Sequence, residues 1–293
     1  MGGMVAGVTG LIEHREQAGH ELAGAVSQRW ALGVEYDGRG LLGWQRQKDG
    51  PSVQGHLEAA LGFVANHSVE LTCAGRTDAG VHATAQVVHF DTPSRRDTHA
   101  WVLGANSRLP DGIAVTWARP VADDFHARFG AFGRRYRYVI ANRAVRPALE
   151  AGRVSWWRRP LDASRMHDAG QVFVGEHDFT SLRAAACQAK SAVRQVHSLA
   201  VVRRGAHVVL DIHANAFLHH MVRNIAGVLL AVGDGRAEVD WPVKVLAARD
   251  RRASGITAPA GGLYFVHVDY PGEFELPITS GPVFDGVPGN GAV

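Results

Sequence analysis

Gly75-Arg76-Thr77-Asp78-Ala79-Gly80 sets an arginine and a carboxylate between glycines, and strand-like segments flank it on both sides. The short apolar run Val69, Leu71 and Cys73 leads in; Val81, Ala83, Ala85 and Val87 lead out, alternating with His82, Thr84 and Gln86. Alternation of this kind marks a strand, whose successive side chains point to opposite faces. The pattern predicts two strands joined by a tight loop, the second with one small apolar face and one polar face. Glycine on each side lets other backbone approach the loop closely. On spacing alone, Asp78 also reads as a turn cap and Arg76 as a solvated arginine, because Asp and Gly are ordinary turn residues.

The elements on either side follow from periodicity. Trp30, Leu32, Val34 and Tyr36 alternate as a strand, and Val53, Leu57, Ala60, Leu61 and Val64 form a helical stripe opened by Ser52 as N-cap. A second helix is expected from about Asp97 to Arg108, and Pro110-Asp111-Gly112 turns the chain into a strand from Ile113 to about Pro120. The first half therefore reads β-α-β-β-α-β.

The second half can be read similarly. In the strand Arg135 to Ile140, Tyr136, Tyr138 and Ile140 face one way, Arg135 and Arg137 the other. A helix capped by Asp162 carries Met166, Ala169 and Phe173, and strands near Val193 to Arg203 and His207 to His213 meet at Arg204-Gly205. A long helix turns Phe217, Met221, Ile225, Val228, Leu229 and Val232 inward, a short one starts near Asp240, and a last strand runs from Leu263 to Tyr270. The expected class is α+β: two ferredoxin-like halves, residues 29–125 and 126–272, sharing a mainly antiparallel sheet with a cleft between them. Residues 1–28 read as a disordered or non-native extension, and 273–293 as a tail.

A chain of 293 residues with 46% hydrophobic and 20% charged residues has material for a real core. No run of eighteen apolar residues occurs, and Glu13, His14, Arg15 and Glu16 stand where a signal peptide needs an apolar stretch. Cys73 and Cys187 form no disulfide framework and no CxxC pair, so a cytoplasmic protein is expected. The net charge of +3 is uneven: eleven arginines face four carboxylates between Arg119 and Arg165, whereas no Lys or Arg follows Arg252. Arg128, Arg134, Arg135, Arg137, Arg143, Arg146, Arg153, Arg158 and Arg159, interleaved with Phe129, Trp156 and Trp157, have the composition of an RNA-backbone surface.

The run from Gly75 to Ala83 closely resembles the catalytic motif of the tRNA pseudouridine synthase A family, bacterial RNA-modifying enzymes. Five further stretches resemble that family in the same order. They are Glu35-Tyr36-Asp37-Gly38 with Gly43-Trp44-Gln45-Arg46-Gln47, Asp124-Phe125-His126-Ala127-Arg128-Phe129, Arg135-Tyr136-Arg137-Tyr138, His219-His220-Met221-Val222-Arg223-Asn224, and Gly262-Leu263-Tyr264. The resemblance covers roughly Trp30 to Pro282.

The resemblance implies an isomerase that turns uridine into pseudouridine at positions 38, 39 and 40 of the anticodon stem-loop. It implies a homodimer on which one tRNA spans two subunits, with the cleft between the halves as the catalytic centre. By the same resemblance Asp78 is the nucleophile, Arg223 its ion-pair partner, Tyr136 the ring stacked on the target uracil, and Leu263 part of an apolar wall beside it. Arg76 is assigned to substrate binding, occupying the space the uridine leaves as it flips out of its stack. The chemistry requires no cofactor and no metal. His213, His219 and His220 invite a metal site, but on a helix His219 and His220 project about 100° apart, and no zinc spacing surrounds them. The alternative is a non-catalytic RNA-binding protein or RNA chaperone. A glycosidase would need a second catalytic carboxyl group, which the matched motifs do not offer.

Overall fold

The computed structural model describes residues 27–277. The expectations for most of the N-terminal extension and for the tail beyond residue 277 lie outside the described residues.

Ten strands form one sheet: β1 (Gln28–Tyr36), β2 (Thr72–Cys73), β3 (His82–Thr92), β4 (Ile113–Val121), β5 (Gly133–Asn142), β6 (Ser155–Trp157), β7 (Gly175–Asp178), β8 (Val193–Arg204), β9 (His207–Ala214) and β10 (Leu263–Asp269). Among the described residues five α-helices accompany them: α1 (Val53–Ala65), α2 (Thr98–Asn106), α3 (Ala163–Gly170), α4 (Met221–Gly233) and α5 (Trp241–Ala248). Along the sheet the strands run β4-β1-β3-β10-β5-β9-β8-β7, with β2 beside β3 and β6 beside β5.

Counted within each half, the order is fourth, first, third, second: β4-β1-β3-β2 in one, and the long strands β10-β5-β9-β8 in the other. The halves join where β10 lies parallel to β3, Tyr264 pairing with His82 and Phe265 with Ala83. Apart from the short β5–β6 contact, the remaining pairings are antiparallel.

Local chemistry accounts for the helix starts. The side chain of Ser52 accepts from the Gly55 amide, Asp97 from Ala100, and Asp162 from Ser164 and Arg165, each supplying a partner that the first helical turn lacks. Val53, Leu57, Ala60 and Leu61 of α1, and Met221, Ile225, Val228, Leu229 and Val232 of α4, are buried. Burying one such Val, Leu or Ile side chain contributes about 1.5–3 kcal/mol. One large core takes in these helix faces together with Tyr136, Tyr138, Ile140, Leu263 and Phe265. A smaller cluster of Val139, Ala141, Val154, Val209, Tyr264 and Val266 lies on the opposite face of the same strands.

His82, Thr84 and Gln86, on the polar side of β3, are as buried as their apolar neighbours. Every residue of β3 except Asp91 is buried, so both faces of the strand are covered. The long helix begins only at Met221, which leaves Phe217, His219 and His220 in the segment before it. Of the run Val69 to Cys73, only Thr72 and Cys73 pair as a strand. The short β6 and β7 were not anticipated, because three or four residues are too few for alternation to register.

Candidate active site

The loop from Gly75 to Gly80 is braced from below and from the side. Gln86 donates from Nε2 to the Gly75 carbonyl at 2.6 Å and accepts the Gly75 amide at 3.3 Å. The Tyr36 hydroxyl meets Thr77 Oγ1 at 2.7 Å, and the Trp44 amide donates to the Thr77 carbonyl at 3.0 Å. Gly43, at φ 93°, brings its backbone so close that an added Cβ would stand 2.7 Å from the Thr77 carbonyl oxygen. The Tyr36 and Gly43-Trp44 motifs thus act as a cradle for the catalytic-type loop rather than as contacts to solvent.

His82, the first residue of β3, fixes the far end. Its Nδ1 accepts the Gly38 amide at 3.1 Å, its Nε2 reaches the Gly152 carbonyl at 3.0 Å, and its ring stacks on Tyr264 with centroids 4.7 Å apart. Asp37 Oδ1 also lies 3.2 Å from Nδ1. Burial lowers the His82 pKa most, and the Asp37 carboxylate acts in the opposite sense.

At the loop's tip, Asp78 meets α4. Arg223 Nη1 lies 3.0 Å from Asp78 Oδ2, and the guanidinium is held from behind by Nε donating to the Ala258 carbonyl at 2.8 Å. The pair is 145 residues apart in sequence. The Arg223 side chain retains only 15% exposure and that of Asp78 24%, so the ion pair forms at the floor of an open cleft. A guanidinium at this distance makes a charge-assisted contact with the carboxylate.

Two imidazoles complete the surroundings of Asp78. His219 Nε2 lies 3.2 Å from Oδ1 and His220 Nε2 3.2 Å from Oδ2, and the two rings are 4.1 Å apart. They converge because His220 takes the left-handed conformation, φ 63°, at the N-cap of α4 and so turns the chain just ahead of the helix. The helical geometry expected for this pair therefore fails, and the conclusion that they diverge fails with it. Burial lowers the His220 pKa most, with Asp78 acting in the opposite sense and His219, Arg223 and Arg251 adding to the fall. The donor atoms of Asp78, His219 and His220 lie within 4.8 Å of one another. A cation there would face the Arg223 guanidinium on the same carboxylate, with Arg251 adding further repulsion.

Tyr136, on β5, faces this cleft. Its ring packs at 4.9 Å from Phe265 and edge-on at 5.0 Å from Phe217, and burial holds its phenol far above the usual tyrosine range. Tyr138 is fully buried, with its hydroxyl donating to the Pro259 carbonyl at 2.8 Å. Leu263 pairs across the strands with Tyr138, and Phe265 with Tyr136, so all four share one face. Arg76 is exposed and has no carboxylate partner among the described residues. Arg135 and Arg137 point to the other face as expected, where Asp211 takes both, at 2.5 and 2.7 Å. Those two arginines of the basic segment are structural, and Arg153 is tied to Asp37 at 3.1 Å.

The remaining histidine of the tempting trio, His213, lies elsewhere, with Nε2 2.6 Å from Asp269 Oδ2. Sequence reasoning missed the supports of Arg223. Arg251 donates to Asn224 Oδ1 at 3.1 Å and to Thr257 Oγ1 at 2.7 Å, fixing the segment that presents the Ala258 carbonyl. Asn224 stood inside a matched motif, which was the available signal.

The sequence profile of the tRNA pseudouridine synthase family matches residues 33–130 and 169–271. The chain is 58% identical over 261 residues to tRNA pseudouridine synthase A of Pseudomonas aeruginosa, covering 89% of this chain and 92% of that one. It is 57% identical over 255 residues to the enzyme of the same name from Nitrosococcus oceani, covering 87% and 98%. Among solved structures, an archaeal box H/ACA sRNP Nop10–Cbf5 complex matches at 13% identity and TM-score 0.32, over 69% of this chain and 44% of that one, a likeness too slight to bear on the fold. With the family profile and these relatives spanning most of its length, the chain belongs to the tRNA pseudouridine synthase family.

Proposed function

We propose that this protein isomerises uridine to pseudouridine at positions 38, 39 and 40 in the anticodon stem-loop of tRNA, with Asp78 as nucleophile. Family membership carries the isomerisation of uridine in tRNA. The observation that supports the assignment of roles is the Asp78–Arg223 ion pair beside Tyr136 at the cleft floor.

In the reaction the C1′–N1 bond breaks and a C1′–C5 bond forms. The C5 hydrogen leaves as a proton and N1 gains one, so nothing is oxidised and no co-reactant is consumed. Asp78 attacks the nucleoside and later leaves, dividing one hard exchange into two easier steps. Arg223 is the ion-pair partner that holds the attacking carboxylate in place. Tyr136 stacks on the uracil, Leu263 belongs to the apolar wall beside it, and Arg76 fills the gap that the flipped base leaves in its stack. The chain acts as a homodimer in the cytoplasm; among the described residues no helix is long and apolar enough to cross a membrane.

The test is tritium release from tRNA labelled at uracil C5, with tRNA binding measured in parallel, for the native protein and Asp78→Asn. Release by the native protein alone, with binding retained by both, is the expected result. Binding without release by either would favour an RNA-binding protein or chaperone. Product mapping on the released tRNA checks the three positions, and sedimentation checks the dimer.

A further inference from the structure

The connection between β4 and β5 carries two large apolar side chains that the protein leaves in water. Phe129 is 77% exposed and Phe132 60%. Large exposed rings of this kind mark contact surfaces when they are held in place; the Phe129 ring is held, and the backbone at Phe132 is tied by its amide to the Asp269 carbonyl at 3.1 Å.

The Phe129 ring packs on His126 at 4.5 Å, and His126 in turn on His89 at 4.7 Å. His126 Nδ1 accepts the amides of Arg128 and Phe129, both at 3.1 Å, and buried His89 accepts the Ala127 amide at 3.1 Å. Arg134 then staples the connection to the catalytic loop. Its guanidinium donates to the carbonyls of Ala131, Arg128 and Asn215, and also to that of Ala74, the residue before Gly75.

The charge beside Phe129 is positive: the Arg128 guanidinium lies 5.4 Å from the centre of its ring. The charges of Arg128 and Arg76 both act on buried Cys73, just ahead of the catalytic loop. A held ring beside an arginine, tied to the loop that carries Asp78 and followed three residues on by a second exposed ring, has the make-up of a platform for RNA bases.

We propose that Phe129 and Phe132 form a stacking platform for unpaired nucleobases of the substrate RNA, next to the uridine that enters the cleft. This deepens the proposed function and rests on it. Stacking on an aromatic ring is tolerant of base identity, because every base has a π-face. The platform accordingly binds whichever bases flank the target and leaves the choice of sequence to other contacts.

The test uses the full chain and unmodified tRNA with an anticodon-loop uridine. Phe129→Ala, Phe132→Ala and the double variant are compared with native protein for tRNA affinity, for kcat and KM by tritium release, and for oligomeric state. Each single change is expected to weaken binding by about 5- to 150-fold, the fold-change that corresponds to losing one stacked base. The KM rises with it, while kcat at saturation stays within about threefold.

Phe129→Tyr keeps native affinity, whereas Phe129→Leu, which keeps apolar bulk but not the π-face, loses it. The dependence of affinity on salt is unchanged in Phe129→Ala but shallower by about one unit of log–log slope in Arg128→Ala, because only the arginine contacts phosphate. A double variant that melts like the native protein and binds tRNA within twofold of it overturns the platform. So does a change of oligomeric state, which would assign the rings to a second copy of the chain. Failure of the native protein to release tritium overturns the tRNA reading itself, and is distinguishable because the platform variants then have no native activity to fall from.

Discussion

Asp78 accounts for one of its partners through charge and for two through backbone conformation. Arg223 reaches it as the third residue of α4, and the imidazoles reach it because His220 is bent into φ 63°. A non-glycine residue held in that region costs on the order of 1 kcal/mol or more, and such strain gathers where side chains must be aimed. Replacing His220 by glycine relieves the strain, while alanine keeps it and loses the ring equally. His220→Gly is therefore expected to be more stable than His220→Ala by about 1 kcal/mol in urea unfolding, with turnover lowered alike in both. Equal stabilities would show that the left-handed turn stores no strain.

His89 makes a second prediction at this scale. Burial pushes its pKa down to about 4, with His126 and Arg29 lowering it further and Asp91 opposing. In the unfolded chain the group titrates near 6.5, so between the two values the unfolded state binds more protons and stability falls as pH falls. The stability this neutral imidazole contributes is complete above about 6.5 and is lost progressively towards pH 4. Urea midpoints measured across that window should fall with acid in the native protein and fall less steeply in His89→Asn. The same slope in both would remove His89 from the account.

Among the elements, the loop from Gly75 to Gly80 depends on the turn that faces it. Gly43 has φ 93°, and any Cβ there meets the Thr77 carbonyl that the Trp44 amide also binds. Gly43→Ala is expected to cost about 1–3 kcal/mol of stability and to lower kcat at least tenfold, since the loop must move and Asp78 moves with it. Thermal unfolding and single-turnover rates check both; a native kcat would show that Asp78 is positioned independently of this contact.

The sequence marked these elements unevenly. Ser52, Asp97 and Asp162 announce their helices because capping chemistry is local, and the stripes of α1 and α4 follow from a 3.6-residue period. The start of α4 was misread, since Phe217 continues its apolar spacing although the chain there is not helical. Alternation marks His82, Thr84 and Gln86 as one polar face, but it reports what a side chain is, not what covers it. Gln86 is fully buried, and its partner is the backbone of Gly75.

For the molecule as a whole, β10 ties the two halves into one sheet. It comes last in the chain, yet lies between β3 and β5. The described residues beyond it fold back onto the first half: the Phe274 ring packs 5.1 Å from Phe125, and Glu275 pairs with Arg119. An exposed ion pair is worth little, so the aromatic contact dominates. A chain ending at Pro271 is expected to lose about 1–2 kcal/mol of stability, the scale of one partly buried aromatic ring. Chemical denaturation measures it, and an unchanged midpoint would make the segment an ornament of the surface.

The sequence by itself determined what depends on neighbours along the chain. That includes the helix caps, the strand periods, the face of β5 that carries Tyr136 and Tyr138, the glycine-bracketed loop, and, through six motifs in order, the family. Only the tertiary structure decided which distant groups meet. Asp78 and Arg223 are 145 residues apart, and His219 and His220 share the carboxylate only because one residue is left-handed. Arg135 and Arg137 are joined by Asp211 from the neighbouring strand. The physical reason is common to all three. A periodic pattern records each residue's own preference, whereas an ion pair or a close packing contact is fixed by the paths of two segments whose relative placement is set by the packed sheet and core.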